Sequence, residues 1–227
     1  MHPVLLLWDI DSTLIWSGGA GEEALRQALL NDFGVIGDLN EIEIAGRTDR
    51  AIAATIVRHF NLQPNSEAEF LECYLRRLPE LMSRHQAHGG VLPGVQRLLD
   101  HAHDHPEIHN ALLTGNMRRG AEIKLSHYGL WKYFEFGAFA DDDIDRNKLG
   151  PIALERARNH LKRDFVISQT WVIGDTAHDI RCGKALGCKT LAVATGRTSV
   201  EQLSAFQPDL VLENLSNFEK VRQLWDN

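Results

Sequence analysis

Asp9 and Asp11 stand with one apolar residue between them at the end of an apolar run, in the stretch LLLWDIDSTLIW. Leu5, Leu6, Leu7 and Trp8 read as a strand covered on both faces, a place that wants no acids. Side chains at i and i+2 of an extended strand share a face, so both carboxylates can address one substrate. Thr13 follows them closely. Three more polar groups sit beside predicted strands: Thr114, Gly115 and Asn116 in LLTGN, Arg146 and Lys148 in DRNKLGP, and Asp175 and Asp179 in WVIGDTAHD.

Carboxylates gathered at one mouth raise each other's pKa unless a cation neutralises them. A hard divalent ion with oxygen ligands, Mg²⁺ above all, meets that need and leaves positions for a phosphate oxygen. One carboxylate can then act as nucleophile, splitting a transfer into a phosphoaspartyl step and a hydrolytic step. The second can protonate the leaving oxygen and later take a proton from water. A hydroxyl and a basic side chain would hold the moving phosphoryl group, whose transfer depends on positioning and charge stabilisation.

The elements that must position these groups are legible as alternation. Strands are predicted at Val4–Trp8, Ala111–Thr114, Glu135–Phe139, Thr170–Ile173, Thr190–Ala194 and Leu210–Leu212. Helices are predicted at Met117–Tyr128, Ile152–Leu161 and Asp179–Ala185. Alternating strands and helices imply βαβ units, hence an α/β fold with a Rossmann-like parallel sheet. The stretch between the first two strands is far longer than a βα connection and reads as helical, at Ala20–Phe33, Thr48–Phe60 and Glu67–His85. A further helix, Val95–His103, follows the turn LPG. Residues 17–90 are therefore expected to form an inserted helical cap, and residues 1–16 and 91–227 the catalytic core. An insertion there lies at the carboxyl end of the sheet, where open α/β folds bind ligands.

In these motifs the chain resembles the haloacid dehalogenase superfamily, within its phosphatase branch carrying a helical cap after the first motif. The pattern Asp-x-Asp-x-Thr reads as Asp9, Ile10, Asp11, Ser12, Thr13; the second motif is Thr114; the fourth, Gly-Asp-x-x-x-Asp, is Gly174, Asp175 and Asp179. The resemblance implies that Asp9 is nucleophile and metal ligand, and that Asp11 is acid/base with a backbone carbonyl on Mg²⁺. It likewise implies Asp175 as the other metal ligand, joined by Asp179 directly or through water. The third-motif base is assigned to Lys148, which Pro151 and the following helix align, with Arg146 as the alternative. Asp11 argues for phosphoryl transfer over dehalogenation, because a leaving halide needs no proton. Insert length and place resemble phosphoglycolate phosphatase and its relatives, whereas Ser12-Thr13 resembles phosphoserine phosphatases.

In AGRTDR, Thr48 reads as a helix cap flanked by solvated arginines; by the resemblance, Arg47 or Arg50 reaches the substrate's far anionic end. The run SGGAG, Ser17–Gly21, reads as a hinge between core and cap. His101, His103, His105 and His109 read as a solvated helix end and loop, and Trp16 as a packing residue beside the first motif. The formal net charge of -7 speaks against nucleic acid or an anionic membrane as partner. Three cysteines without CxxC spacing suit a reducing compartment. The first apolar run is too short for a signal peptide or a membrane span, so a cytoplasmic location is expected. The expected activity is Mg²⁺-dependent hydrolysis of a small phosphorylated metabolite. The alternatives are a phosphomutase of the β-phosphoglucomutase type and a non-catalytic binding protein.

Overall fold

The computed structural model describes residues 3–226. Its first strand, β1 (Val4–Trp8), is buried at every position, and side-chain alternation explains how. Val4, Leu6 and Trp8 enter one hydrophobic cluster, while Leu5 and Leu7 enter another on the opposite face. Trp8 is further fixed by an indole hydrogen bond to Asn110 Oδ1 at 2.9 Å and an edge-on contact with Trp225.

After β1 the chain runs through β2 (Ile15–Trp16), α1 (Ala20–Phe33), α2 (Asp49–His59), α3 (Glu67–Arg84) and β3 (Gly90–Val91). It continues through α4 (Val95–Asp104), β4 (Ile108–Leu113), α5 (Arg118–His127), β5 (Gly137–Ala138) and α6 (Leu149–Leu161). The remainder is β6 (Thr170–Gly174), α7 (Ala177–Leu186), β7 (Lys189–Val193), α8 (Val200–Ser204), β8 (Leu210–Leu212) and α9 (Phe218–Arg222). Six strands form one sheet in the order β5-β4-β1-β6-β7-β8, every pairing parallel. The sheet is the α/β, Rossmann-like core expected from the alternation. After β1 the chain builds β4 and β5 on one side and then β6, β7 and β8 on the other. The ends of β4, β1 and β6 thus surround a topological switch point.

Several elements differ from expectation at their limits. The strand expected over Glu135–Phe139 shrinks to Gly137–Ala138, because Trp131–Tyr133 forms a short 3-10 turn just before it. Four elements were not foreseen: the short helices α8 and α9, and the two-residue β2 and β3, which pair antiparallel, Ile15 opposite Val91 and Trp16 opposite Gly90. Strands this short carry almost no periodicity.

Helices α1, α2 and α3 pack on one another around their own apolar cluster, with Phe70, Leu78, Leu29 and Ile56 fully buried. The β2–β3 pairing brings the entry and exit of this helical segment side by side. Gly18 at the entry has φ +67°, and a Cβ there would stand 2.7 Å from the His85 carbonyl oxygen, so both conformation and space demand glycine. Cys73, Cys182 and Cys188 are free and buried. No helix among the described residues is long and apolar enough to cross a membrane.

Phe70 is fully buried against Phe33. Phe70→Ala is expected to cost about 3–5 kcal/mol in urea denaturation through lost transfer energy and a residual cavity. Ile36, 92% exposed, is the control: Ile36→Ala should stay within about 0.5 kcal/mol of the parent.

Candidate active site

The carboxyl ends of adjacent strands gather the acids. Asp9 extends β1, its N–H donating to the Ile173 carbonyl at 2.9 Å, and Asp175 follows β6 directly. The carboxylates of Asp9, Asp175 and Asp179 each place an oxygen within 4.8 Å of the others, all three residues buried. Glycine makes this approach possible. A Cβ on Gly196 would stand 1.9 Å from Asp175 Oδ2, and one on Gly174 would stand 2.1 Å from Asp179 Cγ. Asp179 also holds α7 in place: its Oδ2 accepts from the Thr176 N–H and hydroxyl, a reciprocal cap in which Thr176 accepts from the Asp179 N–H.

Burial pushes the Asp9 carboxyl up to about 7, opposed by Arg146 and reinforced by Asp179 and Asp11. Burial, with Asp179 and Asp9 adding to it, pushes Asp175 up to about 9. A bound cation removes such a penalty, and an all-oxygen donor set is the set a hard divalent ion takes. The three acids therefore fit Mg²⁺.

The basic partner is Arg146. Its guanidinium donates to Asp9 Oδ1 at 2.7 Å, to Asp179 Oδ1, and to the Gly46 carbonyl at 2.9 Å. Burial works against its charge, but Asp179 and Asp9 outweigh that and hold it above the usual arginine range. Lys148, expected as the third-motif base, is not brought to these acids. Lys148 is 64% exposed and faces Asp143 at 3.4 Å. Residues 146–148 form a 3-10 turn, in which positions two apart point to different sides. One of them could face Asp9, and it is Arg146.

On the other flank Asn116 bridges Asp11 and the second motif. Its Nδ2 donates to Asp11 Oδ2 and to Thr114 Oγ1, both at 2.9 Å. Asp11 leads into a tight turn at residues 12–14 that opens with Ser12, whose φ of +60° is rare outside glycine. Thr13 is buried beneath, its hydroxyl without a partner; neither it nor Thr114 lines the cavity that Asp9, Asp11, Asn116 and Asp175 border.

That cavity has a volume of about 140 Å³ and is roofed by Leu25, Ile44, Arg47, Ile52 and Tyr74. Trp16 lines its edge. Arg47 pairs with Glu43 at 3.6 Å, and its carbonyl lies so close to Gly115 that a Cβ there would stand 2.2 Å away. Arg50 is not brought into the cavity; it is exposed and reaches the Asp141 carbonyl. Thr48 caps α2 by accepting from the Ala51 N–H, and its hydroxyl donates to the Ile144 carbonyl at 2.8 Å. The histidines do not assemble with it: His101, for one, pairs with Asp226.

Sequence reasoning missed Lys124, whose ammonium donates to Asp11 Oδ2 and to Asn116 Oδ1, each at 2.6 Å. A signal was present. Gly120, Ala121, Lys124 and Leu125 form the buried face of α5, and a lysine on such a stripe is seldom there without a paired acid.

A family model described as HAD-hydrolase-like matches residues 145–218. The chain is 29% identical over 192 residues to a bifunctional riboflavin kinase/FMN phosphatase of Arabidopsis thaliana, covering 83% of this chain and 48% of that protein. It spans about half the length of the first curated relatives it matches. A phosphoglycolate phosphatase of Vibrio vulnificus is 25% identical over 226 residues, 96% of this chain and 95% of that one. Among solved structures, CbbY from Rhodobacter sphaeroides in complex with phosphate shares the fold with a TM-score of 0.77, 17% identity and 96% coverage of both chains. With its motifs gathered at the switch point of the parallel sheet, the chain is similar to haloacid dehalogenase-like hydrolases, whose family model matches its residues 145–218.

Proposed function

We propose that this chain is a Mg²⁺-dependent phosphohydrolase that cleaves a small phosphate monoester through a phosphoaspartyl intermediate, with residues 17–90 as cap and the rest as core. The observation that carries this reading is the convergence of Asp9, Asp11 and Asp175 on one cavity, with Arg146 buried against Asp9. Relatives named for dephosphorylating FMN and phosphoglycolate support the reaction class, and the modest cavity supports a small substrate.

Arg146 occupies Asp9 Oδ1, leaving Oδ2 to attack phosphorus. As the O–P bond to Asp9 forms and the ester P–O bond breaks, Asp11 gives its proton to the departing oxygen. Water then attacks phosphorus, Asp11 takes its proton, and the acyl phosphate opens to release phosphate and restore Asp9. Asn116 holds Asp11 through both halves, itself held by Thr114, while Gly115 borders the cavity where the group is transferred. Arg47 meets the part of the substrate under the cap. Asp9, Asp175 and Asp179, with the Asp11 carbonyl, would hold Mg²⁺, which supplies positive charge to the phosphoryl oxygens.

Phosphate release from a panel of small esters, with and without Mg²⁺, tests the reading. Wild type should turn over at least one ester only with the metal, and Asp9→Asn should abolish it. Isomerised sugar phosphate without free phosphate would point to a mutase instead, and no chemistry on any ester would refute catalysis.

The two basic candidates separate cleanly. Arg146→Ala should lower kcat on the order of 10²–10³-fold by removing charge from the transition state. Lys148→Ala should leave kcat unchanged in the same assay.

Proton linkage gives a further test. Asp9 and Asp175 titrate above the unfolded carboxylate range, so the metal-free fold binds more protons than the unfolded chain. Its stability therefore falls as pH rises from about 4 through 9. The metal-free protein should melt lower at pH 8 than at pH 6, and Mg²⁺ should raise Tm more at pH 8, where protons compete less for the ligands.

A further inference from the structure

Lys124 is buried in the core, yet three helices of the inserted segment converge on its ammonium. From α3, Tyr74, almost fully buried, lines the same cavity as Lys124 and interacts with its charge. From α2, the Asp49 carboxylate acts on the same charge. From α1, Gly21 passes so close that a Cβ there would stand 3.6 Å from Lys124 Nζ. On the core side the ammonium grips Asp11 and Asn116. Burial opposes the charge, but Asp11, Tyr74 and Asp49 together outweigh it and hold Lys124 above the usual lysine range. Nothing in the reaction just described requires a buried lysine here, and burying one is costly without a dedicated set of partners.

The cap is latched at the same place. The Asp49 N–H donates to the Gly115 carbonyl, and Asp49 Oδ2 accepts from the Met117 N–H, both at 2.7 Å. Burial pushes the Asp49 carboxyl up to about 6, with Lys124 the largest opposing influence. The loop that carries Asn116 is therefore pinned from the cap on both sides of Asn116, while Lys124 pins Asn116 and Asp11 from below.

We propose that Lys124 is a positioning residue that fixes the Asp11 carboxylate and, through its contact with Tyr74, makes that fixing depend on the seated cap. The inference rests on the phosphohydrolase reading for its kinetic consequence, but its structural content stands apart from turnover. With the cap seated, Lys124 has partners above and below, and Asp11 Oδ2 is engaged by two donors, which leaves Oδ1 to the substrate. With the cap lifted, Tyr74 and Asp49 depart and the ammonium is shared differently between Asp11 and Asn116. Asp11 is 41% exposed at its side chain, so an unfixed carboxylate has room to turn away from the reacting oxygen.

The test uses Tyr74→Phe, Lys124→Arg and Lys124→Met in the full chain, each first checked for cooperative folding. Two readouts are taken: steady-state kinetics on the best ester, and the carbon-13 signal of the Asp11 carboxyl at one fixed pH, assigned by its loss in Asp11→Asn. Tyr74→Phe keeps the ring and removes only the cap-side hydroxyl. It should move the Asp11 signal and lower kcat by up to about tenfold, the worth of one buried hydrogen bond. KM should stay within about twofold, because the loss falls on the transition state. Lys124→Met should lower kcat by about 10²-fold, as a misplaced catalytic group does, and Lys124→Arg should recover part of that. An Asp11 signal and a kcat both unchanged in Tyr74→Phe would overturn the proposal. Should wild type hydrolyse no ester, the phosphohydrolase reading falls by itself. The Asp11 signal then decides the linkage: moved by Tyr74→Phe it stands, and unmoved it fails.

Discussion

Like charge crowded into a dry place is the constraint on which this structure depends. Asp9, Asp175 and Asp179 cluster at the carboxyl ends of two central strands, with Asp11 close by. Carboxylates so placed repel one another and lose their water. The chain answers with two buried cations of its own, Arg146 on Asp9 and Asp179 and Lys124 on Asp11. It leaves Asp175 without a cationic side chain of that kind, and its carboxyl is pushed up to about 9, above that of Asp9. A site that is balanced except at one hard-oxygen cluster is a site that a divalent cation completes.

The same balance ties the helical segment to the sheet. Each buried cation touches an acid of the core and also lies against the segment above it: Arg146 reaches the Gly46 carbonyl, and Lys124 Nζ lies beside Gly21. Exposed pairs, such as Arg197 with Glu22 across the cavity's edge, add orientation but little energy. Charge neutralisation and the seating of the helical segment on the sheet are thus carried by the same side chains.

Much of this was legible in the residues, for identifiable reasons. β1 and β8 stand where the apolar runs put them, because a fully covered strand leaves an unbroken signature. Gly-Asp at the end of β6 was equally plain, since an acid after a buried run has no packing reason to be there. Lys148 was expected beside Asp9, where Arg146 stands instead, because alignment on Pro151 carries no information about which side of a 3-10 turn a side chain leaves. Lys124 went unseen for another reason: its partners Asp11 and Tyr74 are far off in the chain, on separate elements. Its place on the buried stripe of α5 was the one local trace. The β2–β3 pair left none, being two residues on each side.

The central claim is that Asp9 becomes covalently phosphorylated, and chemical capture tests it most directly. The enzyme, mixed with Mg²⁺ and its best ester, is quenched in acid within the first turnover and reduced with borohydride, and the peptide containing residue 9 is sequenced by mass spectrometry. Borohydride reduces an acyl phosphate of aspartate to homoserine, so the account predicts homoserine at position 9 and unmodified Asp11 and Asp175. Phosphate release without homoserine at position 9, or homoserine at another aspartate, would contradict it.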